Sequence, residues 1–412
     1  MKLTLSQNSF WSLVDVVSAS GLGFIVSIII ARYLGPELFG QYSFYVVITA
    51  LICGCVTSGI MIITIREAVK KNWRFKHYIE QTISIFLIYS LPVIIIITLL
   101  VNIIFINDVN FYFAALFQIS MVFFGFSIHF FMNLQRFDIA TLLNFLFRTV
   151  FIGTALLTIV LFSNSISIKT FFLINFIILT LLFFYSIYLY QKNYNVKIKL
   201  KINWKLQKKY IFLSLPVAVA ALSEFLNLKI DTIMLGFLSS NYELGLYSAS
   251  YTIYLGLLMV PLSLTKVFNP IFIERTVNDL KSASNFFYKF LFIYLLYSFF
   301  VITIMKYSTN FLINLTYGSE YLEASNILFY LLLALPFISI NRLINYSMIA
   351  LGKQKIYMYY TLVGTIINFL INLHLIPIYG AYGAVIATII TEFFIFIIGG
   401  IYVIYFFHSK KS

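Results

Sequence analysis

A chain of 412 residues that is 61% hydrophobic and 10% charged cannot clothe a water-facing surface of ordinary size, because soluble domains carry about 25% charged residues. The net charge of +14 does not point to nucleic acid, since the bases lie between apolar runs rather than on a nucleic-acid-facing element. A soluble enzyme and a soluble binding module are both excluded.

In chain order, the first apolar run, near 10–31, carries Asp15 at its middle and precedes no small-x-small cleavage site. It reads as a retained first span, with a cleaved signal peptide as the alternative. Eleven further runs follow, near 39–65, 81–106, 111–133, 141–163, 170–190, 210–237, 244–272, 286–305, 324–350, 357–377 and 382–407. Each is long enough for the roughly 20 residues that cross the hydrocarbon as a helix. Their continuity argues against barrel strands, which alternate over about ten residues. The expected fold class is an all-α integral membrane protein of about twelve transmembrane helices. Cys53 and Cys55, two apart in the second run, face different sides of a helix and predict neither a disulfide nor a chelate.

With the N-terminus placed inside, 21 of the 28 Lys and Arg fall on the cytoplasmic side, three outside (Arg32, Lys169, Lys306) and four within spans. That asymmetry predicts cytoplasmic N- and C-termini. The polar stretch 191–209 falls between the sixth and seventh runs and divides the chain. The expected organisation is an N-terminal six-helix bundle over 1–190, a basic cytoplasmic linker over 191–209 and a C-terminal bundle over 210–412. The halves share a trace of self-similarity: Gly40-Gln41-Tyr42-Ser43 opens the second run and Gly245-Leu246-Tyr247-Ser248 the eighth, at an offset of 205. This predicts parallel repeats, an architecture known among transporters, around a central polar cavity.

Ionisable groups inside spans cost at least ~2.5–3.5 kcal/mol each at the helix centre. Those present are Asp15, Arg148, Glu224, Lys229, Asp231, Lys266, Arg342 and Glu392, with His129 and His374 as uncertain members. Four bases and four acids allow two readings, pairing across helices or an inward polar lining. Helical spacing favours the lining at several places. Thr141, Asn144 and Arg148 share a face, as do Ser263, Lys266 and Asn269, then Ser339, Arg342, Asn345 and Tyr346, and Thr388 with Glu392. Glu224 and Asp231, seven apart, are also co-facial. Pro92, Pro216, Pro261, Pro270 and Pro336 lie within spans and predict kinks, either as hinges or as static bends.

The ordered motifs carry a resemblance. Ala31-Arg32-Tyr33-Leu34-Gly35-Pro36 precedes Gly40 and Tyr42, and Arg66-Glu67 closes the second span. Leu215-Pro216, Asp231, Gly245 and Tyr247 follow, then Tyr317-Gly318 with Tyr321 and Leu351-Gly352. The most specific stretch runs from Leu375-Ile376-Pro377 through Tyr379-Gly380-Ala381-Tyr382-Gly383-Ala384 to Ala387-Thr388 and Glu392. Ile378 departs from the polar or basic residue of many relatives. As an ordered set over nearly the whole chain, these resemble the Wzx-type polysaccharide-repeat-unit flippases of the multidrug/oligosaccharidyl-lipid/polysaccharide exporter superfamily. Taken singly, the motif glycines read as turn and packing positions.

The resemblance implies a bacterial cytoplasmic (inner) membrane transporter, not an enzyme, and no cofactor or metal. Its cargo would be an undecaprenyl-pyrophosphate-linked oligosaccharide of an O-antigen, lipopolysaccharide or capsule pathway. It would move by alternating access coupled to a proton or sodium ion, with membrane lipid, a polymerase and a chain-length protein as partners and no nucleic acid. Arg148, Lys266 and Arg342, with Asn144, Asn269 and Asn345, are the expected pyrophosphate and sugar contacts. Asp15, Glu224, Asp231 and Glu392 are the expected coupling-ion residues. A drug–cation antiporter of the same superfamily is the nearer alternative, and a membrane repeat-unit polymerase the further one. The antiporter would favour an acidic, aromatic cavity. The polymerase would need a long outer loop, and the longest outer connection, near 306–323, carries no ligand cluster or nucleophile motif.

Overall fold

A computed structural model describes residues 5–70, 75–161, 168–194 and 202–409. Of the bases expected on the cytoplasmic side, Lys2, those within 70–76 and 194–201, and Lys410 and Lys411 lie outside the described residues or have side chains that do. The first helix, α1 (Leu5–Lys70), is 66 residues long but breaks at Gly35, whose φ of 73° and ψ of 170° are non-helical. A positive φ costs glycine nothing, and Pro36 restarts the helix where a missing N–H is harmless. The two arms of α1 are therefore two spans.

The next span is built from pieces: α2 (Phe75–Ile85), a π-helical stretch Phe86–Ser90, α3 (Leu91–Val101) and a second π stretch Asn102–Ile106. Pro92 sits in the first turn of α3. Its ring cannot accept the normal i−4 register, and just before it the Leu91 N–H donates to the Phe86 carbonyl, five residues back. The proline thus widens the helix rather than only bending it. Asn107 turns the chain with φ 50°, and Asp108 caps α4 (Val109–Asn133) by accepting from the Asn110 N–H at 2.8 Å. Then come α5 (Phe137–Leu161), α6 (Ile168–Tyr194) and α7 (Trp204–Leu238).

The long helices α8 (Asn241–Asn278) and α9 (Leu280–Thr316) meet at Asp279, which caps α9 from its side chain. At 38 residues, α8 is about 57 Å long, well beyond the ~30 Å of hydrocarbon it crosses. Because α9 runs to Thr316, the connection expected near 306–323 is shorter than that. The tenth apolar run is bent: α10 (Ala324–Leu332) and α11 (Leu335–Ala350) meet at 41°, with Pro336 in the first turn of α11. Finally α12 (Gln354–Tyr379) runs through Pro377 and Ile378, and one residue, Gly380 at φ 54°, turns it into α13 (Ala381–Ser409). Ile378 is therefore helical.

Among the described residues, ten helices are long and apolar enough to cross a membrane. Counting both arms of α1, and α10 with α11 as one bent span, brings the crossings to twelve. The chain is a multi-pass membrane protein. Large apolar side chains such as Phe299, Phe300 and Phe311 on α9 lie exposed, as lipid rather than water would require. Many hydroxyls bond back to their own helix, for example Thr57 to the Cys53 carbonyl at 2.8 Å and Ser347 to the Leu343 carbonyl at 2.8 Å, so they leave no bare donor in the apolar surroundings.

The chain gathers into two compact units. The first comprises 1–33 and 42–229, the second 34–41 and 230–412. In the first, α4 packs on α5 and α6, with the Phe117 ring against both Phe151 and Phe172. Buried Thr154 and Asn175 bond at 3.1 Å. In the second, α11 packs against α8, α9 and α13 over a core that includes Phe268, Phe272, Phe287, Tyr294, Ile344 and Phe407.

The elbow 34–41 belongs to the second unit because two glycines let backbones touch. A Cβ on Gly40 would stand 1.8 Å from the Asn241 carbonyl oxygen, and one on Gly245 would stand 1.9 Å from that of Pro36. Asn241 and Gly245 stand at the repeat offset of 205 from Pro36 and Gly40, so the two similar segments meet each other reciprocally, as across a two-fold axis. Other motif residues collect here. Phe39 meets Tyr321 edge-on at 6.3 Å, and the Glu243 carboxylate accepts from the Ala381 N–H at 3.0 Å. Gly245→Ala should lower stability by about 1–3 kcal/mol or more, the range for overpacking. Gly125→Ala, with nothing within 4 Å, should be neutral or stabilising. Melting curves in detergent check the contrast, and equal midpoints would refute it.

Candidate functional site

An acid in an apolar bundle must find donors or accept a counter-ion. Asp231, near the end of α7, finds three donors from three other helices. Its Oδ1 accepts from Asn372 Nδ2 on α12 at 2.7 Å. Its Oδ2 accepts from the Tyr247 hydroxyl on α8 at 2.9 Å and from Thr388 Oγ1 on α13 at 2.8 Å. Asn372 Nδ2 also donates to Asn368 Oδ1, one turn away, at 2.9 Å. Asn372 is fully buried and its Oδ1 has no hydrogen-bond partner. This is an oxygen-rich nest of carboxylate, amide and hydroxyl, the donor type that suits a hard cation or a proton. Among the described residues no group of three or more His, Cys, Asp or Glu could hold a metal ion.

Tyr247 stacks on Tyr251 at 5.7 Å and 15°, and Tyr251 leads to Tyr254 at 6.0 Å along one face of α8. These rings approach the second acid, since Tyr251 and Tyr254 both lie within electrostatic reach of Glu392 and Arg342. Glu392 stands one helical turn beyond Thr388 on α13. Its Oε2 accepts from Asn341 Nδ2 on α11 at 2.7 Å, and the same amide lies 2.9 Å from the Glu392 backbone carbonyl. The next residue on α11, Arg342, is half-buried and within electrostatic reach of Glu392. It forms no ion pair or hydrogen bond among the described residues.

A separate cluster lies in the first unit. Arg148 Nη1 is 3.5 Å from Asp15 Oδ1 and 3.3 Å from Ser18 Oγ, and Asn144 Nδ2 donates to Asp15 Oδ1 at 2.9 Å. Thr141 extends the same stripe to the Trp11 carbonyl at 3.0 Å. The Thr141–Asn144–Arg148 face of α5 is thus turned onto the first arm of α1, where base and acid pair.

The remaining expected site residues are not drawn into either cluster. Lys266 is exposed and Asn269 half-buried on α8, and neither is hydrogen-bonded among the described residues. Asn345 accepts from the Tyr360 hydroxyl. Glu224 is exposed and forms no hydrogen bond or ion pair among the described residues. Sequence reasoning missed Asn341, Asn368 and Asn372 as site residues. A signal was present: Asn368 and Asn372 are one turn apart on an otherwise apolar helix. Glu80, buried on α2 at the edge of an apolar run, was missed as well.

A twelve-crossing helical chain, with in-span acids held by side chains from other helices, defines a transporter-class membrane fold. It belongs to the polysaccharide biosynthesis protein family, whose model matches residues 5–275. No curated protein matches the sequence. Among solved structures, the lipid II flippase MurJ in an inward closed conformation superposes with a TM-score of 0.65 at 18% identity, over 96% of this chain and 87% of that one. An inward-facing multidrug-resistance MATE transporter of the MOP superfamily gives 0.66 at 13% identity, over 97% and 99%. A MOP superfamily transporter from Pyrococcus furiosus, described as having a binding pocket of reverse polarity, gives 0.52 at 13%, over 98% and 95%. The chain therefore has the fold of MOP-type transporters and flippases.

Proposed function

We propose that this protein flips undecaprenyl-pyrophosphate-linked oligosaccharide repeat units from the cytoplasmic to the outer leaflet of the bacterial inner membrane, by alternating access coupled to a proton or sodium ion. The observation that carries the reading is Arg342, a base held in an apolar bundle whose guanidinium spends no donor on the described protein. Such a group is costly unless an anion visits it, and its planar fork matches a pyrophosphate oxygen pair. Membership of a polysaccharide biosynthesis family supports the sugar part of the cargo. The polyprenyl tail can stay in lipid while the sugars and phosphates cannot cross hydrocarbon unaided.

Labour is divided between bases and acids. Arg342 grips the pyrophosphate, with exposed Lys266 adding charge and Asn269 and Asn345 offering sugar contacts. In the first unit, Arg148 and Asn144 are free for cargo only when they leave Asp15. Asp231 holds the coupling cation, and Glu392 is the second acid of the same unit. O-antigen and capsule pathways both supply cargo of this class, and a polymerase and chain-length protein would act on the product. Reconstitution of purified protein with a fluorescent lipid-linked sugar tests the reading through gradient-dependent transfer between leaflets. The MATE likeness favours one second reading, export of a soluble amphipathic cation. It predicts that Arg342→Ala leaves transport intact.

The orientation follows from the 21-to-three distribution of bases. Reporters fused near Asn203 and at the C-terminus should read cytoplasm, and one near Ser319 should read the outer side. A cytoplasmic signal at Ser319 would overturn the frame.

A further inference from the structure

Arg342 and Glu392 carry opposite charges, sit within electrostatic reach and yet do not pair. Left alone in an apolar bundle, they would be expected to meet, because an ion pair is the cheapest arrangement of two such charges. What prevents it is visible next to Arg342. Asn341 points from α11 to α13, 3% exposed, and holds Glu392 at both its carboxylate, 2.7 Å, and its backbone carbonyl, 2.9 Å. Successive helical residues point about 100° apart, so the side chain that holds the acid and the side chain that carries the base leave α11 in different directions. The Asn341 Oδ1 is buried without a partner, a cost expected only if the amide is needed in this orientation.

We propose that Asn341 is a positioning residue that keeps Glu392 off Arg342, so that the guanidinium stays available for an anionic pyrophosphate. This rests on the reading of Arg342 as the pyrophosphate grip. Without the Asn341 amide, Glu392 swings to Arg342 and the chain quenches its own anion site. Cargo then competes with an internal carboxylate for the same donors.

The test is binding of polyprenyl pyrophosphate to the purified, full-length protein in detergent, with variants matched by size-exclusion profile. Asn341→Ala, or Asn341→Leu where more volume is needed, should weaken binding by about tenfold or more, the scale of a charge-assisted hydrogen bond. Adding Glu392→Gln should restore it, since the competitor is then uncharged. Loss of packing alone would not be repaired by a second substitution. Glu392→Gln by itself should bind at least as tightly as the parent. Failure of the double variant to recover, or weaker binding by Glu392→Gln alone, overturns the proposal. The second result is readable even where the Asn341 variants do not fold. Unchanged binding by Arg342→Ala would instead overturn the underlying reading of the site.

Discussion

Asp231→Asn should abolish the response of flipping to an imposed ion gradient while leaving binding of the lipid-linked cargo within about twofold, the scatter of a substitution that touches no ligand. The carboxylate is the acceptor shared by Asn372, Tyr247 and Thr388. An amide there keeps the shape but loses the charge that a proton or sodium ion would neutralise. It must also set an NH2 group against some of the same donors. Each net charge moving through 100 mV is worth about 2.3 kcal/mol, or about fiftyfold in a leaflet ratio, so coupling and its loss are easily separated. The measurement is flipping in proteoliposomes with and without proton and sodium gradients, on protein shown to be folded. A variant that keeps full gradient response would remove Asp231 from the coupling role. One that loses cargo binding instead would reverse the roles assigned to acid and base.

Arg342→Ala should show the opposite pattern. Cargo binding should fall by about ten- to a hundredfold, from the loss of charge-assisted hydrogen bonds of about 1.5–3 kcal/mol. Residual transport should still respond to the gradient. Arg342→Lys should lie between, since an ammonium supplies the charge but not the planar fork. Because Arg342 makes no ion pair among the described residues, its removal strands no buried acid partner at bonding distance. The melting temperature should therefore move little. Arg148→Ala is a useful contrast: Asp15 lies 3.5 Å from its guanidinium, so part of its effect should appear as lost stability. A drop in stability as large for Arg342→Ala as for Arg148→Ala would make Arg342 a structural residue.

The spans were legible because membrane crossing imposes a coarse rule, some 20 apolar residues, that the composition obeys. The break at Gly35-Pro36 and the bend at Pro336 were legible for the same reason, since only a few residue types can end a helix in lipid. The widening before Pro92 was not, because a kink, a π turn and a straight helix with a proline share one sequence pattern. For the site, charges in apolar runs announced themselves, and Asp231, Glu392 and Arg342 do fall in one unit. Their partners did not. Asn341 and Asn372 are neutral, cost less in a span than a charge, and occur often in helix packing. Nothing local says that Asn372 meets an acid 141 residues earlier. Stripes gave the face of each helix but not the neighbour across it. The Thr141–Asn144–Arg148 stripe found Asp15, while the Lys266 stripe found no partner among the described residues.

The most direct test of the central claim uses the wild-type protein alone, purified into liposomes that carry a fluorescent polyprenyl-pyrophosphate-linked oligosaccharide in one leaflet. A proton or sodium gradient is imposed, and exposure of the sugar to an added lectin or quencher is followed over time. The account predicts transfer to the other leaflet that needs the protein and speeds with the gradient, and no exchange of a soluble cationic dye under the same conditions. Gradient-driven movement of the dye, with the lipid-linked sugar left where it began, would contradict it.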